Sequence, residues 1–304
     1  MESTKFGVSG KKACYSHLWC REKWRKMKNS QRLPVESLLK SNERWCMNAC
    51  NRYINRKSLK GDVWALRNET GVLSAIIVHA RRGLLPVLCG QRHIPPLHFL
   101  NGLFGTASIY SLQGRKDDVV TMETEMEKVG LFATEKADFD LMCIDKPPND
   151  FCSASPAKLI IRRPQTADME TLVALHAAYE AEEVLPPGRK LNPATSRMNM
   201  ERIFLEEQMF VAELNGRLIG KINTNAVTFN RYQVGGVYVH PDYRGRGIAR
   251  KMAGEFIAGL VAQGRGISLF VKKTNPAACR VYQTIGFEIL DDYRINYYAA
   301  NAGR

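Results

Sequence analysis

The 304-residue sequence predicts an α/β protein with mixed β-sheets, divided into two domains. Length is the first observation, since a domain holds roughly 150 residues. The second is hydrophobic periodicity after residue 158, which predicts the element order β-α-α-β-β-β-α-β-α-β. The third is a set of three short apolar segments in the first half, which predicts a β-meander. We therefore expect domains over residues 33–145 and 158–304, joined by a Pro- and Ser-containing linker over 146–157.

Composition excludes several classes of protein. Hydrophobic residues make up 45% of the chain, which argues against a largely disordered protein. Apolar runs fall well short of the ~20 residues that span a bilayer, and the basic N-terminus lacks the apolar region of a signal peptide. Eight cysteines are too few for a disulfide scaffold, and their spacings fit zinc sites poorly. We expect a cytoplasmic protein with no membrane partner and no metal.

Positive charge is concentrated at the N-terminus. Residues 1–32 carry a net charge of +7, half of the total of +14. A basic arm can steer a protein toward nucleic acid, but the rest of the sequence contains no recognised nucleic-acid module. We expect a disordered arm without a nucleic-acid partner. Met1 and Met27 both remain candidates for the biological start.

The elements of the first half follow from periodicity. Apolar residues from Leu38 to Tyr53 recur at helical spacing and predict one amphipathic helix. Proline suits a first helical turn, so Pro95-Pro96 predicts a helix start. The remaining segments predict strands at 63–66, 72–79, 84–89, 108–112 and 139–144 and a helix at 117–129.

The second half begins with a predicted strand at Leu159–Arg162 and a helix that Thr166 caps. His176 lies on this helix, where a helix-face or pocket-wall role is the expectation. Asn215-Gly216 is a strong hairpin signal between two strands. Helices at 247–261 and 276–285 and strands at 233–239 and 267–271 complete the pattern.

A glycine-rich turn lies between a predicted strand and a predicted helix. Arg244, Gly247 and Ala249 form an R-x-x-G-x-A pattern. Glycines let the backbone approach a phosphate, and the amides of a helix N-terminus bind the anion. The turn lacks the Gly-Lys-Ser/Thr ending of a Walker A loop and forms an incomplete dinucleotide fingerprint.

A second motif lies downstream, where Asn275 begins the segment Asn-Pro-Ala-Ala-Cys-Arg-Val-Tyr-Gln-Thr-Ile-Gly-Phe. The two motifs in this order resemble the GNAT N-acetyltransferase superfamily, and the resemblance covers residues 159–298. It implies the GNAT acyl-CoA N-acyltransferase fold and acetyl transfer from acetyl-CoA to a small-molecule or peptide amine. The alternative is a non-catalytic acyl-CoA-binding or protein-interaction module.

The resemblance also implies roles for individual residues. Tyr282 occupies the position of the tyrosine that protonates the departing thiolate; the alternative is a packing residue. The resemblance implies that the backbone of Val237, Tyr238 and Val239 pairs with the pantetheine arm. It implies that loop amides bind the pyrophosphate, from Arg244, Gly245, Arg246, Gly247, Ile248 and Ala249. It also implies that Asn275 contacts the cofactor beyond the fifth strand of the fold.

The sequence departs from many relatives at Gly235-Gly236, where those relatives carry a glutamate that acts as the catalytic base. A base must still deprotonate the attacking amine. Glu183 is our candidate for this base; Glu182, a water relayed from Gln233, and a purely solvent-exposed role for the acidic helix end remain open.

The first half has a similar order of elements but no R-x-x-G-x-A pattern, and Pro95-Pro96 removes two amide donors. We interpret it as a degenerate GNAT-like domain without cofactor; an unrelated α/β domain is the alternative. The whole chain resembles tandem acetyltransferases with a divergent N-terminal domain. The identity of the acceptor and the presence of a homodimer stay open.

Overall fold

A computed structural model describes residues 23–27, 32–55, 63–68, 70–80, 82–90, 109–149, 155–185 and 189–299. The basic residues 1–22, the helix predicted from Pro95 and the linker residues 150–154 lie outside this described part. None of the described helices is long and apolar enough to cross a membrane.

The first half contains six strands and three helices within the described residues. They are β1 (Lys23–Lys26), α1 (Arg32–Ser41), α2 (Met47–Ile54), β2 (Val63–Arg67), β3 (Leu73–Ala80), β4 (Gly83–Val87), β5 (Ser111–Arg115), α3 (Lys116–Lys128) and β6 (Ala133–Ile144). The meander β2–β3–β4 is antiparallel, as the sequence predicts, and β4 pairs in parallel with β5.

Two features of this half differ from the sequence prediction. The amphipathic segment forms two helices, α1 and α2, because Asn42 follows α1 and donates its side-chain amide to the Leu38 carbonyl at 2.9 Å. Such a side-chain bond competes with the helical backbone pattern. Residues 23–26 of the predicted disordered arm form β1, which pairs with β2, and the buried Met27 donates its backbone N–H to Val63.

The second half has the predicted order of elements. They are β7 (Leu159–Arg162), α4 (Met169–Tyr179), α5 (Pro193–Glu206), β8 (Met209–Leu214), β9 (Arg217–Val227), β10 (Arg231–Val239), α6 (Ile248–Val261), β11 (Gly266–Lys272), α7 (Pro276–Ile285) and β12 (Glu288–Tyr298). Asn215 and Gly216 form the hairpin turn with φ of +53° and +78°. A π-helical turn, Glu180–Val184, extends α4.

The strands of both halves form one sheet in the order β1-β2-β3-β4-β5-β12-β6-β11-β10-β9-β8-β7. Its centre is interlocked. β12 of the second half lies between β5 and β6 of the first, and β6 lies between β12 and β11. Each half therefore contributes a central strand to the sheet of the other.

Helices cover both faces of the sheet. In the second half, α6 packs on an apolar core that includes Met252 and Phe256, and α4 and α5 pack on the opposite face around Leu172 and Met200. In the first half, α1 and α2 cover one face and α3 covers the other. The C-terminal ends of β10 and β11 lie between the α4 and α6 layers and position the candidate site.

Candidate active site

Strands β10 and β11 separate in the middle of the sheet. Their parallel pairing runs from Arg231 to Val234 and reaches Leu269 on β11. Beyond this point β10 contains a bulge between Gly235 and Tyr238, where Gly236 adopts a φ of +59°. The backbone of Val237, Tyr238 and Val239 therefore runs past the end of the described β10–β11 ladder, and extended backbone of this kind can pair with a ligand.

The bulge explains the two consecutive glycines. A Cβ on Gly236 would lie 2.0 Å from Asn223 Oδ1, and a Cβ on Gly235 would lie 2.0 Å from Asn225 Nδ2. Both asparagine side chains come from β9 and are joined by a hydrogen bond of 3.0 Å. At the position where the resemblance implies a glutamate, this chain thus presents carboxamides from the neighbouring strand.

The loop after β10 leads directly into helix α6. Gly245 has a φ of +75° with open space around it, and Gly247 has a φ of +73° at the N-cap of α6. The N-cap makes no side-chain hydrogen bond, and the first turn of α6 holds no acidic residue. Backbone amides at such a helix start attract anions, so residues 245–249, which include Arg246, Ile248 and Ala249, fit a pyrophosphate.

Arg244 holds this loop in place. Its Nε donates to the Val239 carbonyl at 2.9 Å, and its two terminal nitrogens contact the Glu182 carboxylate at 2.8 and 2.7 Å. The hydrogen bonds from Arg244 lower the pKa of Glu182. Glu182 is thereby committed to an ion pair, which weakens its candidacy as the base.

Asn275, Glu183 and Lys272 form a second polar group at the opening between β10 and β11. The Asn275 side chain accepts from the Ala278 N–H at 3.0 Å, which caps α7, and donates to Glu183 Oε1 at 3.2 Å. Lys272 Nζ lies 3.8 Å from Glu183 Oε2. Two residues predicted from separate parts of the sequence, Glu183 and Asn275, are thus in direct contact.

Tyr282 is 7% exposed and lies on α7 with its ring edge-to-face against Phe287. Burial raises the pKa of its hydroxyl far above the ordinary value, and the nearby Tyr179 and Glu183 raise it further. The hydroxyl therefore keeps its proton at neutral pH, as a general acid requires.

The sequence prediction missed Lys221, a fully buried lysine on β9. Its Nζ donates to the Gly236 carbonyl at 2.9 Å and to Asn223 Oδ1 at 3.2 Å, and lies 4.7 Å from the ring centre of Tyr179. Burial lowers its pKa to about 7, and the charge of Glu180 opposes this shift. The available signal was a lysine within the apolar run from Leu218 to Ile222.

His176 is buried on α4, close enough to Lys221 to feel its charge. Its Nε2 lies 3.2 Å from Glu180 Oε1 without hydrogen-bond geometry, and its ring stacks on Tyr179. Burial, followed by the charge of Lys221, lowers the pKa of His176 to about 4. The imidazole is therefore neutral at physiological pH.

Comparisons with known proteins agree with this geometry. Residues 175–287 match the family described as Acetyltransferase (GNAT) family. The chain contains a GNAT acetyltransferase domain. Proteins of this family use acetyl-CoA, and the matched residues include the candidate site from His176 to Tyr282. The described residues contain no cluster of three or more metal-ligating side chains.

The GNAT domain also has relatives in sequence and in structure. An acetyltransferase of Pectobacterium atrosepticum is 34% identical over 84 residues, which cover 27% of this chain and 57% of that protein. A GCN5-related N-acetyltransferase from Sphaerobacter thermophilus matches with a TM-score of 0.59 at 17% identity, covering 91% of this chain and 95% of that one. The chain therefore matches little more than half the length of the Pectobacterium acetyltransferase.

A tandem GNAT protein from the clavulanic acid biosynthesis pathway has a TM-score of 0.54 at 13% identity and covers 93% of this chain and 99% of its own. At these identities the likeness is one of fold, and it extends over both halves. The predicted fold class and the predicted resemblance to tandem GNAT proteins are therefore confirmed.

Proposed function

We propose that this protein is an acetyl-CoA-dependent N-acetyltransferase that moves an acetyl group to a primary amine by direct attack in a ternary complex. The observation that carries the proposal is the opening between β10 and β11, which has extended backbone on one side and the glycine loop at its end. In the first half, directly after β4, the buried Asp118 carboxylate accepts the N–H of Leu88. A buried carboxylate there disfavours a phosphate, which supports a single cofactor site.

Each implied residue receives a task in this proposal. The backbone of Val237, Tyr238 and Val239 pairs with the pantetheine arm, and the amides from Arg244 to Ala249 bind the pyrophosphate. Asn275 orients Glu183 and lines the cofactor channel. When bound, acetyl-CoA supplies the acetyl group and the thiol leaving group.

Two proton transfers remain for the side chains. Glu183 takes the proton of the attacking ammonium, since its carboxylate is 27% exposed and is oriented by Asn275. Tyr282, whose hydroxyl is protonated at neutral pH, gives its proton to the leaving sulfur, and the second proton that the attacking nitrogen loses returns through water to the phenolate. Lys221 fixes the carbonyl of Gly236 and so stabilises the shape of the bulge beside which the amine attacks.

The test combines calorimetry with an assay of free thiol on the full chain. We expect one acetyl-CoA per chain and thiol release that depends on an added amine and yields an acetylated product. Acetyl-CoA binding without release across a broad panel of amines and peptides would favour the non-catalytic module. Two acetyl-CoA sites would overturn the assignment of the first half as a degenerate domain.

A further inference from the structure

A cavity of about 490 Å³ lies between α2, the beginnings of β4 and β5, and the end of β9. Four carboxamides and two guanidinium groups are prominent in its lining, and the described lining residues include no carboxylate. These side chains are Asn48, Asn51, Arg52, Arg82, Gln113 and Asn225. A cavity of this chemistry suits a polar ligand that carries negative charge, because guanidinium groups bind oxyanions with charge-assisted hydrogen bonds.

The cavity adjoins the candidate active site. Asn225, which the second half contributes to the lining, is the residue that fills the space over Gly235 on the β10 bulge. Its Oδ1 accepts from Asn223, whose own Oδ1 accepts from Lys221 at 3.2 Å. A continuous polar path therefore runs from the bulge to the cavity, over four residues of β9 or roughly 13 Å at strand spacing.

Part of the cavity wall is rigidly held. Asn48 donates to Gln113 at 3.0 Å and to the Tyr293 hydroxyl at 2.9 Å. Tyr293 is 1% exposed and belongs to β12, the strand that the second half inserts into the first. The interlocked sheet thus fixes carboxamides of the first half in register with the catalytic half. Preorganised polar groups bind a ligand with a smaller loss of conformational entropy.

We propose that this cavity is the subsite for the far end of the acceptor and that it selects primary amines carrying an oxyanion, either carboxylate or phosphate. The proposal rests on the proposed acetyl transfer. The amine lies at the β10 bulge, the acceptor extends over Asn223 and Asn225, and its oxyanion reaches Arg52 and Arg82. The degenerate first half thereby acquires a role in acceptor recognition.

The test compares four amines of equal chain length that end in a carboxylate, a phosphate, a second amine or a methyl group. We expect kcat/KM for the oxyanion-bearing amines to exceed that for the other two by roughly tenfold to a hundredfold. Carboxylate and phosphate compounds identify which oxyanion is preferred. Equal kcat/KM across the panel would overturn the subsite.

Two arginine variants test whether the cavity causes the preference for oxyanion-bearing amines. Arg52→Gln and Arg82→Gln should each reduce the discrimination between oxyanion and neutral amines at least fivefold, mainly through KM, while Arg163→Gln, an exposed arginine outside the cavity lining, should retain it. Retained discrimination in both cavity variants contradicts the proposal. Thermal unfolding shows which variants are folded, and two arginines at separate positions protect the test against the failure of one.

Direct binding separates this inference from the proposed activity. Calorimetry of the oxyanion-bearing amines with the full chain, without acetyl-CoA, should show binding that both cavity variants weaken. Binding of this kind without turnover retains the cavity as an oxyanion site but overturns both the acetyl transfer and the role of the cavity in acceptor recognition. Turnover of neutral amines without any such binding supports acetyl transfer and overturns the subsite.

Discussion

Asp138 on β6 and Arg294 on β12 form a two-point ion pair, with oxygen–nitrogen distances of 2.7 and 2.9 Å. They are direct register partners, although β6 belongs to the first half and β12 to the second. The hydrogen bonds from Arg294 lower the pKa of Asp138 to about 2. The pair therefore stabilises the interlocked centre of the sheet, where the stability of the two halves is coupled.

Arg294→Met should destabilise both halves together. We expect a loss of about 1–3 kcal/mol, since the charge-assisted hydrogen bonds are partly buried and Asp138 loses this partner. All four tryptophans lie in the first 64 residues, so their fluorescence reports on the first half and far-UV circular dichroism on the whole chain. Both urea transitions should shift equally. The control Arg197→Met, at the exposed two-point pair with Glu170, should leave both transitions almost unshifted. An unshifted fluorescence transition would contradict the coupling.

Tyr282→Phe should separate chemistry from binding. The change keeps the ring packed against Phe287 and removes the hydroxyl alone. Loss of a general acid typically lowers the rate about 10²–10⁴-fold. We expect this loss in kcat with little change in the Kd for acetyl-CoA, measured by calorimetry. An unchanged kcat, with chemistry shown to be rate-limiting by single-turnover kinetics, would exclude the acid role.

Gly247→Glu should weaken acetyl-CoA binding at least a hundredfold. The substitution adds a carboxylate at the start of α6, where an anion is expected, and strains a residue with a φ of +73°. Gly264→Glu is the matched control, because Gly264 has a φ of +76° and open space around it. Similar affinity in both variants, with both folded, would show that the pyrophosphate lies elsewhere.

Much of the second half could be predicted because its signals are local. Hydrophobic periodicity gave the order of strands and helices, Asn215-Gly216 fixed the hairpin, and Gly245 and Gly247 adopt the left-handed conformation that their loop requires. The N-cap of α7 likewise follows from the sequence, since the Asn275 side chain accepts the N–H of Ala278 in the first turn. These features depend on neighbouring residues alone.

The interlocked centre could not be predicted in this way. The placement of β6 beside β11 depends on pairing between residues more than a hundred positions apart, such as Met142 and Leu269, and periodicity carries no information about such partners. The same holds for Lys221, whose partners Gly236 and Tyr179 come from separate elements. Lysine in an apolar strand signals a special environment without identifying it.

Lys221 should give the protein a characteristic pH dependence. Its pKa is about 7 in the folded state against an ordinary 10.5, so the unfolded chain binds more protons between these values. The contribution of Lys221 to the free energy of unfolding should therefore rise with pH, by about 2 kcal/mol between pH 7 and pH 9. Urea unfolding at each pH should show this change as a difference in the free energy of unfolding between the parent protein and Lys221→Met. The exposed-lysine control Lys146→Met should show a nearly constant difference, and a constant difference for Lys221→Met would contradict its lowered pKa.

Asp118→Asn should stabilise the fold at neutral pH. Burial raises the pKa of Asp118 from 3.8 to about 6, so the native state binds more protons than the unfolded chain between these values. The cost of the buried charge is complete above pH 6 and vanishes below pH 4. Asparagine has no charge, and its side-chain oxygen can accept the Leu88 N–H that Asp118 accepts at 3.1 Å.

We expect Asp118→Asn to add roughly 1–3 kcal/mol to the free energy of unfolding at pH 7.5 and almost nothing at pH 4. The exposed neighbour provides the control Asp117→Asn, and an equal effect of both substitutions at pH 7.5 would show that burial of Asp118 is not the cause.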